Sequence, residues 1–113
     1  MRRGEIWTAA GGKDYAGKAR SVVIVQDDSF DTTASITVCA FTTNAADAPL
    51  FRLDIAATEE NRLDASCRLM VDKLTTVPRT KLGKRIGRMS DADMLRLNRA
   101  IIVFLGMAGT AQE

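Results

Sequence analysis

A chain of 113 residues, 46% hydrophobic and 27% charged, has the composition of a single globular domain rather than a disordered tail. No apolar run approaches the roughly 20 residues that span a bilayer, and the opening Met1-Arg2-Arg3-Gly4-Glu5 lacks the apolar stretch of a secretion signal, so one cytoplasmic domain over residues 1–113 is expected. The net charge is only +2, and with no histidine and just two separated cysteines, Cys39 and Cys67, neither a zinc site nor a Cys–His nucleophile pair can be assembled; no metal and no cofactor are expected.

Glu5-Ile6-Trp7-Thr8-Ala9 reads as a first strand, with Ile6 and Thr8 on one face and Trp7 on the other. Gly11, Gly12 and Gly17 then make the stretch from Gly11 to Lys18 a loop, because glycine disfavours both regular structures. Arg20 opens a second strand, whose β-branched run Val22-Val23-Ile24-Val25 predicts burial on both faces as far as Gln26. Asp27 to Asp31 turns the chain. Ser35 to Thr42 is a third strand, its set Ile36, Val38, Ala40 and Thr42 opposing Thr37, Cys39 and Phe41.

Leu50 to Ile55 is a fourth strand, alternating from Phe51 onward, and Cys67 to Asp72 a fifth. Both cysteines sit in apolar strand-like segments and read as small buried hydrophobes. Pro78 marks a turn, and Ile86 to Met89 is the candidate sixth strand. The last element is a helix: Ser90 is placed as N-cap with Asp93 three residues on, Met94, Leu97, Ile101 and Phe104 recur at helical spacing, and Gly106 is a stop. Short strands at this density followed by one amphipathic helix predict a mainly β fold, a small and strongly curved barrel.

Charge is segregated along this layout. Arg2, Arg3, Lys13, Lys18 and Arg20 mark one basic segment and Arg79, Lys81, Lys84, Arg85 and Arg88 a second, while acids gather at Asp27, Asp28 and Asp31 and again at Asp54, Glu59, Glu60 and Asp64. Such a pattern suits a face for a polyanion, and equally two solvated surfaces of opposite sign. In the glycine-rich loop, Lys13 and Lys18 are candidates to meet phosphates and Tyr15 to stack on a base. The spacing is not that of a phosphate-binding P-loop. Arg20 carries a planar fork of donors matched to a phosphate, and Thr42 ends the next strand where its hydroxyl can face the same mouth. The same two residues also fit a strand-edge surface arginine and an ordinary β-favouring threonine.

Taken in order, the motifs resemble the MazF/PemK family of toxins. Arg3-Gly4-Glu5-Ile6 matches the family's opening R-G-(E/D)-(I/V), and Arg20-Ser21-Val22-Val23-Ile24-Val25-Gln26 its strand R-P-V-(V/L)-(V/I)-(V/I)-Q. The strand ending in Thr42, then Leu69-Met70-Val71-Asp72, Leu82-Gly83, Ile86-Gly87-Arg88 and the helix ending in Leu105-Gly106, resemble the remainder, so the likeness runs over roughly residues 3–107. It implies an SH3-like barrel of five to seven short strands with a C-terminal amphipathic helix, a homodimer, and a sequence-selective, metal-independent endoribonuclease that cuts single-stranded mRNA. It also implies a cognate antitoxin, a separate chain whose acidic C-terminal segment lies in the RNA groove.

In the family the strand-opening arginine and the third-strand threonine are the catalytic pair, which carry over to Arg20 and Thr42. The ribose 2′-hydroxyl attacks its own phosphate, leaving a 2′,3′-cyclic phosphate and a 5′-hydroxyl. Arginine suits the charge of the transition state, but as a base it would have to be neutral, at a cost on the order of 7 kcal/mol at pH 7. Candidate bases are therefore Asp72, Thr43 or water. Ser21, Thr43 and Asp72 join Lys13, Tyr15 and Lys18 as expected RNA-binding residues. The chain departs from the family at Ser21, where proline is usual, and at Met70, where some relatives carry arginine. Two other readings stand beside the ribonuclease: a gyrase-poisoning toxin like CcdB, and a catalytically weakened RNA- or antitoxin-binding relative.

Overall fold

The computed structural model describes residues 1–10, 20–43 and 51–109; the expected loop with Lys13, Tyr15 and Lys18 lies outside the described residues. Among the described residues seven strands precede one helix: β1 Glu5–Ala9, β2 Arg20–Ile24, β3 Ser35–Thr42, β4 Arg52–Ile55, β5 Cys67–Met70, β6 Thr75–Pro78, β7 Leu82–Arg88 and α1 Asp91–Phe104. The antiparallel strands run β4-β5-β3-β2-β1-β7, with β6 pairing β3, and no pairing among the described residues closes β4 onto β7.

The long strand β3 explains the curvature. One of its edges pairs with β2, while the other pairs with β6 over Ser35–Val38 and with β5 at Phe41 and Thr42. One strand thus serves two half-sheets that bend away from each other. Its alternating side chains divide accordingly. Cys39 and Phe41 enter a core with Ile6, Val23, Ile55, Leu69 and Leu97, and Ile36, Val38 and Ala40 enter a second with Val22, Ile24 and Met70. Both faces of β2 are buried in this way, as its β-branched run predicts.

Several boundaries differ from the sequence reading. The second strand ends at Ile24 and the fourth starts at Arg52. The fifth stops at Met70, where the chain winds into a 3-10 turn over Val71–Lys73. A whole strand, β6, occupies what reads as the approach to the Pro78 turn. Three of its four residues are exposed and Pro78 closes it opposite Ser35, so it has no hydrophobic alternation to announce it. Strand β7 likewise begins earlier than Ile86, its Lys84-Arg85 stretch having concealed it.

The Arg3-Gly4 motif is structural. Arg3 donates from Nε to the Val25 carbonyl at 2.8 Å and from its guanidinium to Asn98 Oδ1 on α1. Gly4 adopts φ +91, a left-handed conformation that side chains resist, and its backbone bonds both Ile24 and Met89. The helix begins where expected, Ser90 Oγ accepting from the Asp93 amide at 3.1 Å, and ends with Gly106 at φ +75. Leu97 is its buried anchor, while Leu95, Ile102, Val103, Phe104 and Leu105 stay exposed. No described helix is long and apolar enough to cross a membrane.

Glu5 ties β1 to its surroundings. Its Oε1 accepts from the Arg2 amide and from the Trp7 indole, each at 3.0 Å, and Oε2 lies 3.2 Å from Arg85 Nε on β7. Burial alone would raise its pKa, but these donors and nearby positive charges outweigh it and hold the carboxyl below its ordinary 4.5. A lowered carboxylate pKa stabilises the fold above the unfolded value, and that stability is lost as pH falls through the folded one. Glu5→Gln is therefore expected to lose about 1–2 kcal/mol at pH 7, with the gap to wild type narrowing below pH 4.5; urea titrations at both pH values check it.

Candidate active site

Strand register assembles the site. Val22 pairs with Ala40, and continuing that register by two residues sets Arg20 opposite Thr42. Thr42 in turn pairs with Arg68, and Arg68 with Asp54. Residues directly opposed in antiparallel strands project from the same face. Arg20, Thr42, Arg68 and Asp54 therefore form one row across β2, β3, β5 and β4.

A cleft of about 430 Å³ opens at the Arg20 end of that row. Arg20, Ser21, Thr42 and Thr43 all line it, so four residues anticipated from sequence meet in one place, joined by Phe41 and Cys67. Its further wall comes from Leu63, Asp64 and Ala65, in the connection between β4 and β5. Asp64 is exposed and is the carboxylate among the described residues of this cleft. A second cleft, of about 390 Å³, adjoins it and shares Thr42, Thr43 and Cys67.

Asp72 is placed elsewhere. It follows the far end of β5, past Met70, whereas Cys67 at the near end lines the cleft. Its carboxylate lies 3.3 Å from Arg52 Nε, close enough for an ion pair but without hydrogen-bond alignment. The early end of β5 thus leaves Asp72 outside the described lining of the Arg20–Thr42 cleft.

The wall bearing Asp64 is held by Asn61, the one buried polar side chain among the described residues, at 1% exposure. Its Oδ1 accepts from the amides of Thr58 at 2.9 Å and Leu63 at 3.1 Å, and its Nδ2 donates to the Ala56 carbonyl at 2.9 Å. The next residue, Arg62, takes φ 57, where a side chain is strained and glycine is not. This loop docks on β7: the Arg88 amide donates to Glu60 O at 3.0 Å. A Cβ on Gly87 would come within 2.6 Å of Asn61 O, which requires glycine there.

Both cysteines are free, Cys39 buried and Cys67 partly so. Burial, reinforced by the charge of Asp72, pushes the Cys39 thiol up to about 12, and burial also raises Cys67. Neither is an activated nucleophile. Among the described residues no three of His, Cys, Asp or Glu group as metal ligands would. The clefts instead offer a fixed cation, Arg20, beside hydroxyls and a carboxylate. That set can hold a phosphodiester, stabilise added negative charge on it and move a proton. Arg68, Asp54 and Asp64 escaped the sequence reading because only strand register and loop path bring them here.

Residues 2–105 match the family of PemK-like, MazF-like toxins of type II toxin-antitoxin systems. A Mycolicibacterium smegmatis protein named "probable endoribonuclease MazF" is 54% identical over 109 residues, covering 96% of this chain and 100% of its own length. Endoribonuclease MazF9 of Mycobacterium tuberculosis is 31% identical over 117 residues, covering 95% and 98%. Among solved structures, a mycobacterial endoribonuclease in complex with its cognate antitoxin superposes with a TM-score of 0.80 at 21% identity, over 97% of this chain and 99% of that one. The chain belongs to the PemK-like, MazF-like toxin family.

Proposed function

We propose that this protein is the toxin of a type II toxin-antitoxin pair, an endoribonuclease that cuts single-stranded mRNA at selected sequences and so arrests translation and growth. The observation that carries the reading is the meeting of Arg20 and Thr42 in one cleft by strand register. Arg20 binds the scissile phosphate and neutralises the charge that builds on it. Thr42 positions a non-bridging oxygen through its hydroxyl. The ribose 2′-oxygen attacks the adjacent phosphorus, the bond to the 5′-oxygen breaks, and the products carry a 2′,3′-cyclic phosphate and a 5′-hydroxyl. Asp64 is the base that takes the 2′-hydroxyl proton, and Arg20 or water protonates the leaving oxygen. This chemistry draws on side chains and water and runs without a metal. Asp64→Asn is expected to lower kcat about 10²-fold, measured under saturating RNA.

Ser21 and Thr43 border the phosphate, and Lys13, Tyr15 and Lys18 supply further RNA contacts. The solved relative's complex with its cognate antitoxin supports an equivalent partner here, one whose acidic segment competes for the RNA groove. The exposed apolar face of α1 supports a homodimer, and the site of action is the cytoplasm. The test is direct: purified protein, incubated with an unstructured RNA in EDTA, should produce discrete fragments. Intact RNA would refute the reading.

A further inference from the structure

We propose that the second cleft is a nucleobase subsite in which Arg68 and Asp54 read a base flanking the scissile phosphate, an inference that rests on the RNA-cleaving reading of the first. The cross-strand row places Arg68 beside Thr42 on β5 and Asp54 beyond it on β4. Neighbouring strands lie about 4.8 Å apart, so Arg68 stands roughly 10 Å from Arg20 with Thr42 between them. A phosphate held by Arg20 and Thr42 therefore leaves an adjoining nucleotide over the second cleft.

That cleft has the mixed lining a base requires. Ala56 and Cys67 supply apolar surface, and Ser66, Arg68 and Asp54 supply polar edges. Single-stranded RNA is recognised through unstacked bases that rest on a protein surface and present their hydrogen-bonding edges. Arg68 Nε donates to Asp54 Oδ1 at 2.7 Å, which fixes the plane of the guanidinium. The pair then sets a guanidinium and a carboxylate side by side, the complement of an edge carrying both an acceptor and a donor. Its side chains are 32% and 76% exposed, and an ion pair so exposed contributes little to stability. Its place at the mouth of the cleft, in line with Arg20 and Thr42, is what a recognition role explains.

The experiment is cleavage-site mapping on one long RNA of mixed sequence, with wild type, Arg68→Ala, Arg68→Lys and Arg20→Ala. Wild type should discriminate among bases at a position flanking the cut. Arg68→Ala should reduce that discrimination about 10- to 100-fold at that position only, the range of a good bidentate contact. Arg68→Lys should relax it similarly, because lysine keeps the charge and loses the fork. An unchanged base profile in Arg68→Ala, or an equal loss of cleavage at every site, overturns the subsite while leaving the ribonuclease intact. Cleavage by Arg20→Ala equal to wild type, or none by wild type, overturns the ribonuclease reading itself.

Discussion

Replacing Arg20 by alanine should lower kcat for RNA cleavage about 10³-fold, the upper range for losing one preorganised donor to developing charge. The reasoning is geometric. Arg20 opens β2 and lines the cleft with Thr42, Thr43 and Asp64, so its positive charge stands where the proposed phosphate binds. The barrier increase corresponds to about 4 kcal/mol. Arg20→Lys should recover only part of it, because an ammonium supplies charge without two parallel donors. Single-turnover rates on a short RNA, with thermal melts to show that the fold is kept, check both variants. The first residue of a strand that ends at the cleft contributes little to either core, so melting should barely move.

Asn61→Ala should have the largest effect on stability, about 3–4 kcal/mol from three lost side-chain hydrogen bonds, the stranded partners and a small cavity. The amides of Thr58 and Leu63 and the Ala56 carbonyl all lose a partner at once. For a chain of this size the melting temperature should drop by about 10–15 °C. The same loop carries Asp64 to the cleft and rests on Gly87. Cleavage should therefore weaken in Asn61→Ala even at temperatures where the protein remains folded. Differential scanning calorimetry and rates taken well below the transition separate the two effects.

How much was readable in advance depended on whether a signal was local. β1 and β3 were legible because apolar and polar residues alternate along them, and β3 ends at Thr42 as read. The helix was legible from Ser90, its three-residue reach to Asp93, and Gly106. β6 was not, since Thr75-Thr76-Val77-Pro78 is an exposed edge with no hydrophobic period. In the site, Arg20 and Thr42 came from an ordered set of family motifs, and register explains why they meet. Asp72, an expected RNA contact and a candidate base, is not among the described residues lining this cleft: β5 ends at Met70, and Val71 beyond it is buried in the first core. Arg68 sits on the same face as Thr42 only once β3 and β5 are paired. No pattern within either segment reports that pairing.

The central claim is that this cleft directs a ribose 2′-oxygen onto its own phosphate. The most direct measurement uses two short RNAs identical except for one 2′-deoxynucleotide on the 5′ side of the mapped cut, each incubated with purified protein in EDTA. The all-ribose RNA should be cut to a 2′,3′-cyclic phosphate and a 5′-hydroxyl end, and the single 2′-deoxy substitution should abolish cleavage there. Cutting of the deoxy-substituted RNA at the same site, or products with 5′-phosphate ends, would contradict the account.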